Sequence, residues 1–274
     1  MFTRRRQSIT APDAMQINPS HQAPVSSAPV VVSVQGESPA RAREAAKQLA
    51  LECGSYRDAV GLILVVGETT AWLELEGVKV GVQFDSAAMQ HRRKGGHNEM
   101  LGRAVGLKAD RKPLIWDATG GLGRDAFVLA DLGCEVTLCE RVPVLAWLLD
   151  QAVQAAAVSG ADQVREAAER MSVLAGDSKT LRAPAGTVIY LDPMFPERKK
   201  AAAVKKEAAM LQRLADQTDD SESLWQWAWD QPVERIVVKR PLRAPILGHI
   251  RPAHTLRGKS VRFDVFTRRL DHSL

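Results

Sequence analysis

From about residue 113 the chain alternates short apolar runs with helix-length segments, and this rhythm restricts the possible folds more than any other feature. Strands are expected at Pro113–Trp116, Glu135–Cys139, Ser172–Leu174, Thr187–Leu191, Arg235–Lys239 and Val261–Phe266. Helices are expected near Asp125–Leu132, Pro143–Val158, Ala161–Met171, Ala203–Asp216 and Ser221–Trp229. Such alternation implies an α/β fold, a mainly parallel sheet with helices on both faces. Ligands of these sheets bind outside the carboxyl ends of the strands, so polar residues at strand ends are the first candidates for function.

The segment before this differs. Residues 1–28, rich in Pro, Ser, Gln and Ala and without apolar periodicity, read as a flexible tail. Val30–Val34 reads as a strand, Ser38 as the N-cap and Pro39 as the first residue of a helix reaching about Cys53, and Leu62–Val66, Ala71–Leu75 and Lys79–Phe84 as strands of hairpins. These residues make a small α+β domain over 29–88, ahead of a larger domain over 89–274. The 45% apolar and 25% charged content suits a soluble globular protein. The longest apolar run, Ala59 to Val66, is too short for a bilayer, and no apolar stretch follows the N-terminal arginines as a secretory signal would require. Cys53, Cys134 and Cys139 lack metal-ligand spacing and read as reduced thiols of a cytoplasmic protein.

Four strand ends carry the chemistry. The first runs from Asp117 into Ala118-Thr119-Gly120-Gly121-Leu122-Gly123-Arg124-Asp125-Ala126, where glycines permit a tight turn and the next helix offers free amides. The second ends at Glu140, the third at Asp177-Ser178 and the fourth at Asp192-Pro193-Met194-Phe195. Gly121-x-Gly123-x-x-Ala126 also fits a dinucleotide fingerprint with Glu140 as the ribose-binding acid, so a nicotinamide or flavin oxidoreductase competes. An S-adenosylmethionine site explains more of the series: an acid at the first end, a glycine loop, an acid for ribose hydroxyls, and Asp177 with Ser178 for the adenine amino edge. Taken singly, Asp177 reads as a helix N-cap and Asp192-Pro193 as a turn.

Asp-Pro-x-Phe resembles the Asp/Asn-Pro-Pro-aromatic motif of enzymes that methylate exocyclic amines of bases. Such an amine has its lone pair delocalised into the ring and needs acceptors on its hydrogens before it can attack. Asp192 is the expected acceptor, Pro193 stiffens the loop and Phe195 stacks on the base. The net charge of +5 favours a polyanionic partner. His91-Arg92-Arg93-Lys94 and Arg198-Lys199-Lys200, near this expected catalytic face, are candidates for RNA phosphates; alternatively Arg92 or Arg93 braces the two domains through carboxylates. A noncatalytic RNA-binding module is the third reading. Trp225, Trp227 and Trp229 read as core and edge packing.

The glycine loop from Asp117 to Phe127, His91-Arg92-Arg93-Lys94, Tyr190-Leu191-Asp192-Pro193-Met194-Phe195-Pro196, Val204-Lys205-Lys206-Glu207 and Val237-Val238-Lys239-Arg240-Pro241 together resemble the RsmJ-type ribosomal RNA guanine-N2 methyltransferases, over roughly residues 30–267. That resemblance implies a Rossmann-like class I methyltransferase sheet behind a small α+β domain, with S-adenosylmethionine as cofactor and no metal. It further implies cofactor contacts from Arg124, Asp125, Glu140, Arg141, Asp177, Ser178 and Asp192, beside the Asp117 and Gly120 of the strand-end reading, and a target guanosine near the 3′ end of 16S ribosomal RNA in the small subunit. Met194 stands where the generic amine motif has a second proline, and the first 28 residues lie outside the family pattern. Oligomeric state is not indicated.

Overall fold

The computed structural model describes residues 30–33, 39–93, 97–193, 206–207, 209–211, 214 and 220–269. Two sheets organise them. The first is five-stranded, in the order β2 (Cys53–Gly54), β1 (Val30–Ser33), β3 (Ile63–Val66), β4 (Ala71–Leu75) and β5 (Val78–Gly81), with α1 (Ala40–Leu49) packed against it. β3, β4 and β5 form the expected antiparallel meander. Glu76 and Gly77, at φ 51° and 76°, make the β4–β5 turn; positive φ at both central residues matches the right-handed twist of the strands. Pro39 is the N-cap of α1 rather than its first helical residue, while Ser38 lies outside the described residues. The helix stops at Leu49 because Ala50 turns left-handed, at φ 52°, so Cys53 belongs to an edge strand instead of the helix.

The second sheet has seven strands in the order β11 (His254–Arg257), β12 (Val261–Thr267), β10 (Arg235–Pro241), β9 (Val188–Leu191), β6 (Ile115–Asp117), β7 (Val136–Glu140) and β8 (Met171–Ala175). β6 to β10 are parallel, whereas β12 runs antiparallel between β10 and β11. This inserted hairpin departs from the 3-2-1-4-5-6 order of dinucleotide sheets. Strand order reverses between β6 and β9, and the crevice at such a switch point is where α/β sheets bind ligands. Sequence reading found six of the seven strands; β11 and the helices α2 (Ala87–Arg93) and α3 (His97–Val105) are additional.

Helices cover both faces: α4 (Arg124–Asp131), α5 (Pro143–Ala157) and α6 (Asp162–Glu169), with α7 (Ser221–Asp230) preceding β10. α5 starts with Pro143 in its first turn and buries Leu145, Leu148, Leu149, Ala152, Val153 and Ala156, a helical spacing that gives one apolar face. Each buried leucine contributes about 1.5–3 kcal/mol. In α7, Trp225 and Trp229 stack one turn apart, ring centroids 5.6 Å from each other, and Trp225 packs on Phe266. Trp227, on the opposite side, donates its indole N–H to the Leu181 carbonyl at 2.9 Å. The odd spacing of the tryptophans thus serves packing on two sides of one helix.

The two sheets share apolar contacts. Leu64, Leu73 and Val80 of the first join one buried cluster with Leu122 of the glycine loop and Val144, Leu145 and Leu148 of α5. Phe84, just past β5, stacks on Phe127 of α4 with centroids 4.5 Å apart. Arg41 of α1 donates to Gln151 of α5 at 2.8 Å.

Candidate active site

The loop after β6 is glycine-rich because little else fits. A Cβ on Gly120 would stand 3.0 Å from the Cys139 carbonyl oxygen, and one on Gly123, at φ 65°, would come within 2.6 Å of Leu149. Gly121, at φ 53°, would meet only the Thr119 carbonyl oxygen at 3.7 Å, so the loop is tight on its protein side and open on its other. Asp117, buried at the tip of β6, accepts from the backbone N–H of Thr119 at 3.0 Å and from its hydroxyl at 3.1 Å. The same hydroxyl accepts the backbone N–H of Asp192 at 2.8 Å, so Thr119 ties the first strand end to the fourth. Burial pushes the Asp117 carboxyl up to about 7, against the Thr119 hydrogen bonds and helped by the nearby Asp125 and Asp192 charges.

At the second strand end the buried Glu140 accepts from Gly121 N–H at 2.7 Å and Val142 N–H at 2.8 Å, one on each oxygen. Burial raises its pKa. Asp177 caps the short 3-10 turn Ser178–Thr180 through Lys179 N–H at 2.9 Å, and the buried Ser178 hydroxyl donates to the Ala118 carbonyl at 3.0 Å. Asp220 joins this rim to the residues before α7, accepting from Arg141 at 2.6 Å and Lys179 at 2.8 Å. Arg124 pairs with Glu207 at 2.6 Å.

The fourth strand end holds the densest charge. Lys239, from β10, donates to Asp192 and to Asp125, 2.6 Å each. Asp125 also receives the Tyr190 hydroxyl at 2.7 Å and the Arg92 guanidinium. Two carboxylates thus face two cations, and the balance is needed because Asp125 and Lys239 have 7% and 15% side-chain exposure. Asp192 keeps 37% and opens to the crevice. Enclosure raises the Asp192 pKa, with Asp125 adding to the rise and Lys239 and Arg92 opposing it; burial would lower that of Lys239, but the two carboxylates hold it above its ordinary value.

The order of carboxylates fits S-adenosylmethionine. A ribose diol needs an acceptor, and each Glu140 oxygen carries one backbone donor with acceptor capacity to spare. The ligand's cations need a counter-charge, and Asp117 is a buried carboxyl without an ion-pair partner among the described residues. The open side of Gly121 leaves room for close approach of a ligand to the backbone.

The structure brings Asp117, Gly120, Asp192 and Pro193 to one crevice with Glu140 on its wall. Arg92 donates through a terminal nitrogen to Asp125, with its Nε buried and without a hydrogen-bond partner among the described residues, and Arg93 donates to Asp131 by two bonds of 2.9 and 2.5 Å. Both pairs tie α2 to α4 within 89–274, so they do not brace the two expected domains, and His91 is exposed. Lys94, Met194, Phe195, Arg198, Lys199 and Lys200 lie outside the described residues, as does the tail. Thr119, Tyr190 and Lys239 were not singled out as site residues by sequence. For Lys239 the signal was available: a lysine inside an apolar strand, level with the end of the Asp-Pro strand.

Comparison with known proteins agrees with this geometry. Residues 45–268 match the family described as "Putative SAM-dependent methyltransferase". The chain is 42% identical over 238 residues to the ribosomal RNA small subunit methyltransferase J of Cellvibrio japonicus, covering 81% of this chain and 90% of that protein. It is 41% identical to the protein of the same name from Pseudomonas aeruginosa, covering 83% and 90%. The crystal structure of a SAM-dependent methyltransferase from Neisseria gonorrhoeae superimposes with a TM-score of 0.68 at 31% identity, over 86% of this chain and 94% of that one. These matches leave the oxidoreductase reading without support, and the chain belongs to the ribosomal RNA small subunit methyltransferase J family of SAM-dependent methyltransferases.

Proposed function

We propose that the protein methylates the exocyclic N2 of a guanosine near the 3′ end of 16S ribosomal RNA, in the small ribosomal subunit, using S-adenosylmethionine. The observation that carries this is Asp192: a partly open carboxylate at the switch point, fixed by Lys239 on one side and, through its backbone, by Thr119 on the other. The relatives named as small-subunit methyltransferases support the substrate class. The Asp-Pro-x-Phe sequence supports an exocyclic amine, and the family resemblance supports guanine.

When bound, S-adenosylmethionine supplies an electrophilic methyl on a sulfonium, whose departure leaves a neutral thioether. Asp192 accepts a hydrogen bond from N2, concentrating its lone pair for attack, and takes the proton released as the N–C bond forms. Lys239 keeps that carboxylate ionised and fixes its direction. Asp125 holds Lys239 and Arg92 from beneath, while Asp117 faces the cofactor's cationic end, Gly120 admits it, Glu140 takes its ribose and Asp177 its adenine. Arg124, Arg141 and Ser178 line or brace the same rim. The target base leaves its stack to reach this crevice, since N2 of a paired base is closed to an enclosed methyl donor. Preorganised acceptors and alignment supply most of the rate. Phe195 is assigned to stacking on the base, and His91, Lys94, Arg198, Lys199 and Lys200 to the RNA backbone, with Arg92 and Arg93 kept for tying α2 to α4.

The reading places the enzyme in the cytoplasm, divided into a unit over 29–88 and a catalytic unit over 89–274. Among the described residues no helix is long and apolar enough to cross a membrane. The test is transfer of radiolabelled methyl to small subunits from a strain lacking this gene, followed by nuclease digestion and mass spectrometry. Appearance of N2-methylguanosine in 16S RNA is expected, and methyl on another base or in another RNA would refute the assignment.

A further inference from the structure

Residues 235–263 contain no Asp or Glu, although they include β10, the loop after it, and the β11–β12 hairpin. Four cations of the stretch have internal work, Arg235 among them through the Ala104 carbonyl at 3.1 Å. Lys239 holds Asp192, and the buried Arg240 and Arg262 hold the backbone of the β10–β11 loop. Arg262 donates to the carbonyls of Pro241 and Leu242 at 2.9 Å and of Ala244 at 2.8 Å, while its Nε faces Asp264 at 3.0 Å. Arg240 donates to the Pro245 carbonyl at 3.1 Å. Farther along, Gly248, at φ 72°, lies so close over Trp225 that a Cβ would stand 1.9 Å from the indole nitrogen. A loop on the surface is fixed in shape by two buried guanidiniums and an indole face.

Its outward side chains have no such engagement. Arg243, Arg251, Arg257 and Lys259 are exposed and have no carboxylate partner among the described residues. Glu222 accepts Gly248 N–H at 3.3 Å and lies 3.9 Å from the exposed His249. Ile246 and Ile250, 47% and 39% exposed, stand among these cations. Strand register places three of the cations at the catalytic edge. Arg257 pairs with Arg262 and Arg262 with Arg240, one residue beyond Lys239; Lys259 is in the adjoining turn, and Arg243 lies just past the end of β10, with Leu242 between it and Pro241.

A rigid rim with several cations, exposed aliphatic side chains and no carboxylate paired to Arg243, Arg257 or Lys259 among the described residues suits a phosphate backbone with base or ribose faces between its charges. We propose that Arg243, Arg257 and Lys259 grip phosphates of the RNA strand that carries the target nucleotide, a second RNA contact apart from the one assigned to His91, Lys94 and Arg198–Lys200. The proposal rests on the RNA methyltransferase reading above. Buried arginines fix the rim in advance, so less ordering entropy is lost on binding than a flexible basic loop would lose.

The test measures RNA affinity against salt for the wild type, for Arg243→Gln/Arg257→Gln/Lys259→Gln, and for a control, Lys108→Gln/Arg111→Gln/Lys112→Gln, whose exposed cations precede β6 at the opposite edge. The probe is an unmodified transcript of the 3′ domain of 16S RNA. Loss of three phosphate contacts flattens the slope of log K against log salt by about 2, at about 0.7 per contact on a single strand. The rim variant should show this, with a raised KM for RNA, unchanged kcat at saturating RNA and unchanged affinity for S-adenosylhomocysteine by calorimetry. The control should keep the wild-type slope. An unchanged slope in the rim variant, or equal flattening in both, overturns the proposal while leaving the methyltransferase reading intact. A wild type that transfers no methyl to RNA would sink that reading instead.

Discussion

The two edges of the seven-stranded sheet use charge differently. At the amino edge arginines close off the backbone: Arg235 donates to the Ala104 carbonyl at 3.1 Å, Arg170 to Glu166 at 2.8 Å, and Arg268 to Val233 at 3.0 Å, each onto a main-chain oxygen. At the carboxyl edge Arg240 and Arg262 also hold main-chain carbonyls, but there charge meets charge as well, in the network of Lys239, Arg92, Asp125 and Asp192 with the buried Asp117 beside it. A guanidinium on a carbonyl is satisfied at any ordinary pH. Buried carboxylates have displaced pKa values and respond to any new charge, and perturbed groups of this sort gather where chemistry is done.

Substitutions at the two edges should separate these uses, beginning with the largest effect. Asp192→Ala should lower methyl transfer at least about a hundredfold, the scale for loss of a preorganised transition-state contact. Its chemical denaturation midpoint should shift little, because Lys239 retains Asp125. Lys239→Met should destabilise the fold by about 3–5 kcal/mol, since removing one partner strands buried charge. Without the lysine the Asp192 pKa climbs further, so the acid limb of the rate profile should move to higher pH; a limb that stays in place would deny Lys239 its positioning role.

Asp117→Asn should keep its hydrogen bonds from Thr119 and lose at least about tenfold in affinity for S-adenosylhomocysteine, about 1.4 kcal/mol. Wild-type affinity should itself fall as pH drops below 7, because the ligand's ammonium binds the ionised carboxylate. The stability signature has a set sign. A folded value of about 7 against the ordinary 3.8 means that the Asp117 contribution is full below pH 3.8 and lost as pH rises through 7. Relative to wild type, the Asn variant should gain stability over that window and level off above it. Arg235→Gln, at the other edge, should cost about 1–2 kcal/mol by loss of a charge-assisted hydrogen bond and leave turnover per folded molecule unaltered. Smallest should be Arg124→Ala, below about 1 kcal/mol in thermal unfolding, because that pair with Glu207 is 47% exposed on the arginine side.

Much of this was legible before any coordinates. The strands of the large sheet are short apolar runs ending in an acid, and the rule that ligands bind at carboxyl ends then selects Asp117, Glu140, Asp177 and Asp192 without tertiary information. What stayed hidden is pairing across distance. Lys239 lies 114 residues from Asp125 and 47 from Asp192, and no local pattern tells which carboxylate a lysine will meet. The same limit applies to Arg124 and Arg141, assigned by resemblance to the cofactor, whose partners Glu207 and Asp220 come from a separate segment. β11 was missed because His254, Thr255 and Arg257 give it little apolar signal, and it is a strand by virtue of pairing with β12.

The stacking of Gly248 on Trp225 also gives the enzyme an optical probe of its own. An indole pressed against a loop backbone changes its emission when that loop shifts, so the Trp225 signal, isolated by subtracting the spectrum of Trp225→Phe, would follow movement of the β10–β11 loop in real time, with no label attached. Stopped-flow fluorescence could then time the arrival of RNA separately from the methyl transfer that follows it.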